Sequence, residues 1–189
     1  MPRHTQGSRV LGGVHNAAER VNLAYLVVTG TTTAPLAIEL VRGLLKRFAS
    51  VLTLMTPHAA RVIAPRDLSM IPGNRLVESY FDAAILPRPA DGLVLVAPCS
   101  FNSLNKLAGG IADNLAMSLT AEAIGRGTPV LLALSLNPPL FRHPRTALSN
   151  ASLRQRGVSV IEPEDTGEGL RMAPGDFILA EVDRRNAEI

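Results

Sequence analysis

The sequence predicts a doubly wound parallel α/β sheet in three αβα layers. Three observations carry that prediction. Five short apolar runs, Leu23 to Val28, Val51 to Met55, Leu93 to Ala97, Pro129 to Leu134 and Val158 to Ile161, lack polar alternation. That is the pattern of strands buried on both faces. Stretches with apolar residues at helical spacing separate these runs, and strands alternating with helices imply crossover connections and parallel pairing.

Each element follows from its local pattern. Residues 1–21 mix Gly, Arg, His and Asn without period and read as a flexible extension. Residues 22–189 read as one domain, a size that a single core serves. After the first strand, Pro35 suits the opening turn of a helix that places Leu36, Leu40, Val41, Leu44, Leu45 and Phe48 on one side. A short helix is expected over Ala59 to Ile63. The stretch Ala64 to Asp91 carries Pro65, Pro72, Pro87 and Pro89, with a strand or turn near Leu76 to Tyr80. Leu104, Leu107, Ala108, Ile111, Ala112, Leu115 and Leu119 form one helical stripe. Helices over Pro144 to Arg156 and Asp176 to Arg185 close the chain, with a loop from Pro163 to Pro174.

Composition narrows the function classes. Apolar residues make up 47% of the chain, ample for a core, and with no Trp the core must be aliphatic. A net charge of +3 without a basic block interleaved with aromatics gives no sign of nucleic-acid binding. The only cysteine is Cys99, which excludes an internal disulfide and a multi-cysteine metal site; no metal is expected, and one free thiol fits a reducing cytoplasm. No apolar run is long enough to span a membrane, so no membrane partner is expected.

Three strand ends carry short hydroxyl or amide residues: Thr29 to Thr33, Pro98 to Ser103, and Ser135 to Asn137. In open α/β sheets ligands bind at the carboxyl ends of strands, and Gly beside hydroxyls lets a phosphate approach backbone N–H groups. Such a turn also serves simply as a helix cap, but three in one sheet suggest a nucleotide-type pocket. The GxGxxG and GxxxxGK[ST] patterns are absent, which argues against the common dinucleotide and P-loop modes.

Pro98 to Leu115, PCSFNSLNKLAGGIADNL, resembles the PASANTxxKIAxGIxDNL segment of the homo-oligomeric flavin-containing cysteine decarboxylases. Thr29-Gly30-Thr31 looks like that family's TGS phosphate turn. Leu134 to Leu140 looks like its PxMNxxM motif, with Asn137 kept, and His143-Pro144, Asn150, Leu153 and Gly157 follow its spacing. The resemblance implies a flavodoxin-like, Rossmann-like sheet that binds FMN, in a trimer with FMN between subunits, or a dodecamer of four trimers, with the helix from Leu104 helping to pack subunits. On this comparison Gly30, Thr31, Thr32 and Thr56 bind the phosphate end. Pro98, Ser100, Phe101, Asn102, Ser103 and Leu136 lie against the flavin, with Asn102 also at the reacting end. Asn137 holds the substrate carboxylate by its amide, and Arg171 and Met172 belong to a substrate lid.

The sequence departs from the family pattern in three places. By the family's spacing, its catalytic histidine falls at Ala83-Ala84, and Asp82 and Arg88 are the nearest titratable residues. His58 reads as a helix-start or surface histidine, His143 as structural, His4 and His15 as solvated. The lid segment Pro163 to Ala173 keeps the GxGRMA-like tail but lacks the clamp cysteine and is shorter. Phe101 replaces Ala beside the expected flavin, and Cys99 reads as a small buried residue. The implied activity is FMN-dependent oxidative decarboxylation of the C-terminal cysteine of a ribosomally made precursor peptide, giving an aminoenethiol. The alternatives are phosphopantothenoylcysteine decarboxylase, a catalytically inactive flavin-binding subunit and, more remotely, a flavin prenyltransferase.

Overall fold

A computed structural model describes residues 22–188; the expected N-terminal extension lies outside them. Six strands form one parallel sheet: β1 (Leu23–Val28), β2 (Ser50–Met55), β3 (Asn74–Leu76), β4 (Leu93–Cys99), β5 (Val130–Leu134) and β6 (Ser159–Ile161), in the order β3-β2-β1-β4-β5-β6. The helices are α1 (Ala37–Leu45), α2 (Pro65–Ser69), α3 (Phe101–Gly109), α4 (Leu115–Gly125), α5 (Pro138–Phe141), α6 (Pro144–Gln155) and α7 (Gly175–Asn186). Two 3-10 turns, Ala34–Leu36 and Ala59–Arg61, follow β1 and β2.

The strands are apolar throughout because both faces are covered. In β1, Ala24, Leu26 and Val28 face a cluster with Leu40, Val41 and Leu44 of α1 and Ile178 and Val182 of α7. Tyr25 and Val27 face the other layer, with Leu104 and Leu107 of α3, Met117 and Leu119 of α4 and Leu153 of α6. These side chains are at most a few per cent exposed. Each large aliphatic one contributes about 1.5–3 kcal/mol by leaving water. The fold is the three-layer flavodoxin-like one that the sequence predicts. Winding runs from β1 out through β2 to β3, then returns to β4 on the other side of β1. The reversal puts a topological switch point between β1 and β4, where a crevice opens at the strand carboxyl ends.

Four local expectations change. The stripe from Leu104 to Leu119 is two helices, not one. Gly110 takes a left-handed conformation (φ 71°) that caps α3, and Asn114 restarts the chain as N-cap of α4. Ile111 is consequently half exposed. The strand near Leu76 lies at Asn74–Leu76, and the proline-rich stretch holds the additional helix α2. The short helix after β2 is only a 3-10 turn. Within Pro163 to Pro174, Glu164–Asp165 (β7) and Leu170–Arg171 (β8) pair antiparallel.

An added Cβ at Gly110 meets no atom within 4 Å, so Gly110→Ala tests the left-handed turn alone. The expected loss is about 1–2 kcal/mol, read as a lowered urea midpoint with an unchanged slope.

Candidate functional site

The site grows out of three strand tips that are tied together. Thr29, fully buried at the end of β1, donates its hydroxyl to the Pro98 carbonyl (2.7 Å) and accepts the Ser100 N–H (2.9 Å). The Ser135 N–H donates to the Cys99 carbonyl (2.9 Å), which carries the chain beyond β5 alongside β4. The hydroxyls of Thr33 and Ser135 lie 2.8 Å apart, and those of Thr31 and Thr33 2.9 Å apart. Together these bonds close the crevice mouth at β1, β4 and β5.

A cavity of about 1040 Å³ occupies this mouth, at the upper end of the roughly 300–1,000 Å³ usual for small-molecule sites. The loops after β1 and β2 contribute Gly30, Thr31, Thr32, Thr33, Thr56, Pro57 and His58; the α3 and α4 side contributes Ser100, Phe101, Asn102, Ser103 and Met117; the segment after β5 contributes Ser135, Leu136, Asn137 and Leu140, with Ser135 meeting Thr33. Leu170, Arg171 and Met172 of the hairpin reach its edge. Every residue named for the site from sequence therefore lines one cavity except Pro98. Pro98 is buried within β4 behind the wall, where its carbonyl takes the Thr29 hydroxyl.

Local capping sets several of these side chains. Ser100 is N-cap of α3: its Oγ accepts the Ser103 N–H (3.2 Å) and donates to the Ser103 hydroxyl (3.0 Å). Asn137 is N-cap of α5: its Oδ1 accepts the Leu140 N–H at 3.0 Å. That bond fixes which way the amide faces, leaving its N–H₂ as the uncommitted end. Phe101 packs edge-on against His143 at 5.4 Å. His143 in turn accepts the Arg145 N–H at the start of α6, which agrees with a structural role.

Four cavity residues have ionisable side chains: His58, Lys106, Asp113 and Arg171. Lys106 bonds Asp113 at 2.5 Å, and that bond holds the Asp113 carboxyl below its ordinary range. Arg171 pairs with Glu168 at 3.1 Å on the exposed hairpin. Asp82 pairs with Arg75 and Arg88 with Asp91, both away from the cavity, and Ala83 and Ala84 do not line it either. His58 is exposed, as expected, but it stands in the cavity wall. No motif marks it in the sequence; what places it is Gly30, whose missing Cβ leaves room for the loop after β2. A Cβ on Gly30 would meet the His58 Cβ at 2.5 Å and its carbonyl carbon at 2.8 Å.

The lining suits a ligand with an anionic group and a flat apolar body. Hydroxyls and a glycine cradle form one end, while Leu36, Phe101, Met117, Leu136 and Leu140 supply apolar wall. A flavin nucleotide has that make-up.

The flavoprotein family model matches residues 15–187. The coenzyme A biosynthesis bifunctional protein CoaBC of Haemophilus influenzae is 29% identical over 178 residues, covering 85% of this chain and 44% of its own length. The chain thus spans less than half of that relative. Two solved structures share the fold. A PPC decarboxylase variant complexed with pantothenoylaminoethenethiol superposes with a TM-score of 0.74 at 21% identity, over 87% of this chain and 98% of the other. The FMN-dependent cysteine decarboxylase TvaF from thioviridamide biosynthesis does so with a TM-score of 0.72 at 20% identity, over 89% and 99%.

Cys99 ends β4 directly behind this wall, and complete burial pushes its thiol up to about 12. The unfolded thiol titrates near 8.5. The folded state therefore holds its proton longer, and this contribution, fully present below about 8.5, is lost as pH rises toward 12. The fall in stability from pH 9 to 11 is expected to be shallower in Cys99→Ala than in the parent, measured by urea unfolding.

Proposed function

Because the chain belongs to the flavoprotein family, we propose that it is an FMN-dependent decarboxylase acting on the C-terminal cysteine of a ribosomally made peptide and releasing an aminoenethiol. FMN, when bound there, would supply the two-electron oxidation of the cysteine side chain that makes loss of CO₂ easy. The work of this chain is binding and orientation. Gly30, Thr31, Thr32 and Thr56 hold the phosphate end. Ser100, Phe101, Asn102, Ser103 and Leu136 bound the flavin plane.

Asn137 carries the reading. Its Oδ1 accepts the α5 cap bond, which leaves its N–H₂ as the end without a partner, and two donors on one nitrogen suit a carboxylate. Asn102, exposed on the first turn of α3, lies at the reacting end and orients the substrate thiol. The hairpin carrying Leu170, Arg171 and Met172 forms a short lid. Its exposed tip, Thr166 to Glu168, leaves the cavity edge open for a chain longer than one amino acid. In a homo-oligomer, a trimer or a dodecamer of trimers, a neighbouring copy completes the cavity beside the exposed residues Asn102, Ile111 and Asp113. Ala83-Ala84 supplies no acid or base; unless another side chain takes that place, turnover would be slower by the roughly 10²–10⁴-fold that such a group contributes.

A second reading, phosphopantothenoylcysteine decarboxylase, is favoured by the similarity to CoaBC. The two separate on substrate. Incubation of the FMN-loaded protein with a peptide ending in Cys is expected to lower its mass by CO₂ plus two hydrogens. Loss of CO₂ from phosphopantothenoylcysteine alone would favour the second reading, and no change in either would sink both. Asn137→Asp keeps a good N-cap but sets a carboxylate against that of the substrate. It is expected to retain FMN and lose about a hundred-fold or more in turnover. Full turnover in that variant would remove the assigned role.

A further inference from the structure

We propose that His58 is a phosphate ligand of the bound flavin nucleotide, one that the resemblance did not assign; the proposal rests on the FMN reading above. Three observations place it. His58 lines the cavity at the same end as Gly30, Thr31, Thr32 and Thr56. The absence of a side chain at Gly30 brings the two turns into direct contact, with the His58 backbone and Cβ filling the space where a Cβ would stand. Among the described residues the His58 imidazole has no hydrogen-bond partner, and it does not cap the 3-10 turn that it opens. Its ring nitrogens are therefore uncommitted at the edge of the cavity.

The neighbouring backbone points to the same ligand. Among the described residues, the amides of Gly30, Thr32, Thr33 and His58 donate to no backbone acceptor. Uncommitted amides, hydroxyls able to donate and an imidazole N–H gathered in one corner form a cluster of donors, and a phosphate dianion is a ligand with only acceptors. No carboxylate lines this end: the one acidic residue of the cavity wall, Asp113, is bonded to Lys106. His58 thus adds a donor from the β2 side to those from the turn after β1, so the phosphate is held between two loops.

The test compares FMN with riboflavin, which lacks the phosphate, on the full chain freed of flavin, by fluorescence titration. His58→Ala is expected to weaken FMN roughly ten-fold, the size of one charge-assisted hydrogen bond, and to leave riboflavin within about two-fold. His58→Gln, which keeps an N–H donor, is expected to restore most of the FMN affinity. Equal weakening of FMN and riboflavin by His58→Ala would overturn the proposal by making His58 a wall for the ring system. Unchanged affinity for both would overturn it outright. A parent chain that binds neither flavin would bring down the FMN reading and this assignment with it.

Discussion

The buried Thr29 hydroxyl is the joint on which the site depends. One oxygen donates to the carbonyl of Pro98 and accepts the amide of Ser100, so it spans the peptide segment where β4 ends and α3 begins. Both partners are main-chain groups at the edge of the core, and a buried main-chain donor or acceptor left without a partner costs about 1–3 kcal/mol. The joint also sets the entry angle of α3. With Ser100 held, its Oγ reaches the Ser103 amide, and the first turn of the helix faces the crevice. The Ser135–Cys99 and Thr33–Ser135 bonds extend the same tie to β5. Cavity shape is therefore set by hydrogen bonds between strand tips, while the two apolar layers decide only where the sheet lies.

Charge has a smaller part in holding the fold together. The ion pairs of α7, in which Arg184 and Arg185 meet Glu181 and Glu188, are solvated, and such pairs contribute about 0–1 kcal/mol each. The Lys106–Asp113 pair is also on the surface side, yet it has a positional effect. It joins the last turn of α3 to the segment before α4, across the break made by Gly110. It also neutralises the acidic residue of a wall otherwise suited to anions.

Most of the sheet was legible because a strand buried on both faces leaves an apolar run that few other structures produce. Leu23 to Val28 and Leu93 to Ala97 are such runs, and they form the two strands that flank the switch point. The break at Gly110 was not legible. The stripe continues through Ile111 and Leu115 in helical register, and periodicity carries no information about the sign of φ at a glycine. β3 is short and opens with Asn74, whose side chain is buried through bonds to Thr53 and the Leu68 carbonyl, so it lacks the apolar signature. At the site, the turns that carry Gly30, Ser100 and Asn137 were visible as clusters of small polar residues after apolar runs. His58 was hidden because its position depends on a contact between loops that the sequence holds far apart.

That contact has a consequence for how the chain can change over generations. The loop after β2 occupies the space that any side chain at position 30 would need. A larger residue there is tolerable only if the 57–59 segment moves. The two turns therefore form one unit of variation. Among descendants of this chain, substitutions at the two sites should be inherited together, and recombination between them should be the more damaging crossover.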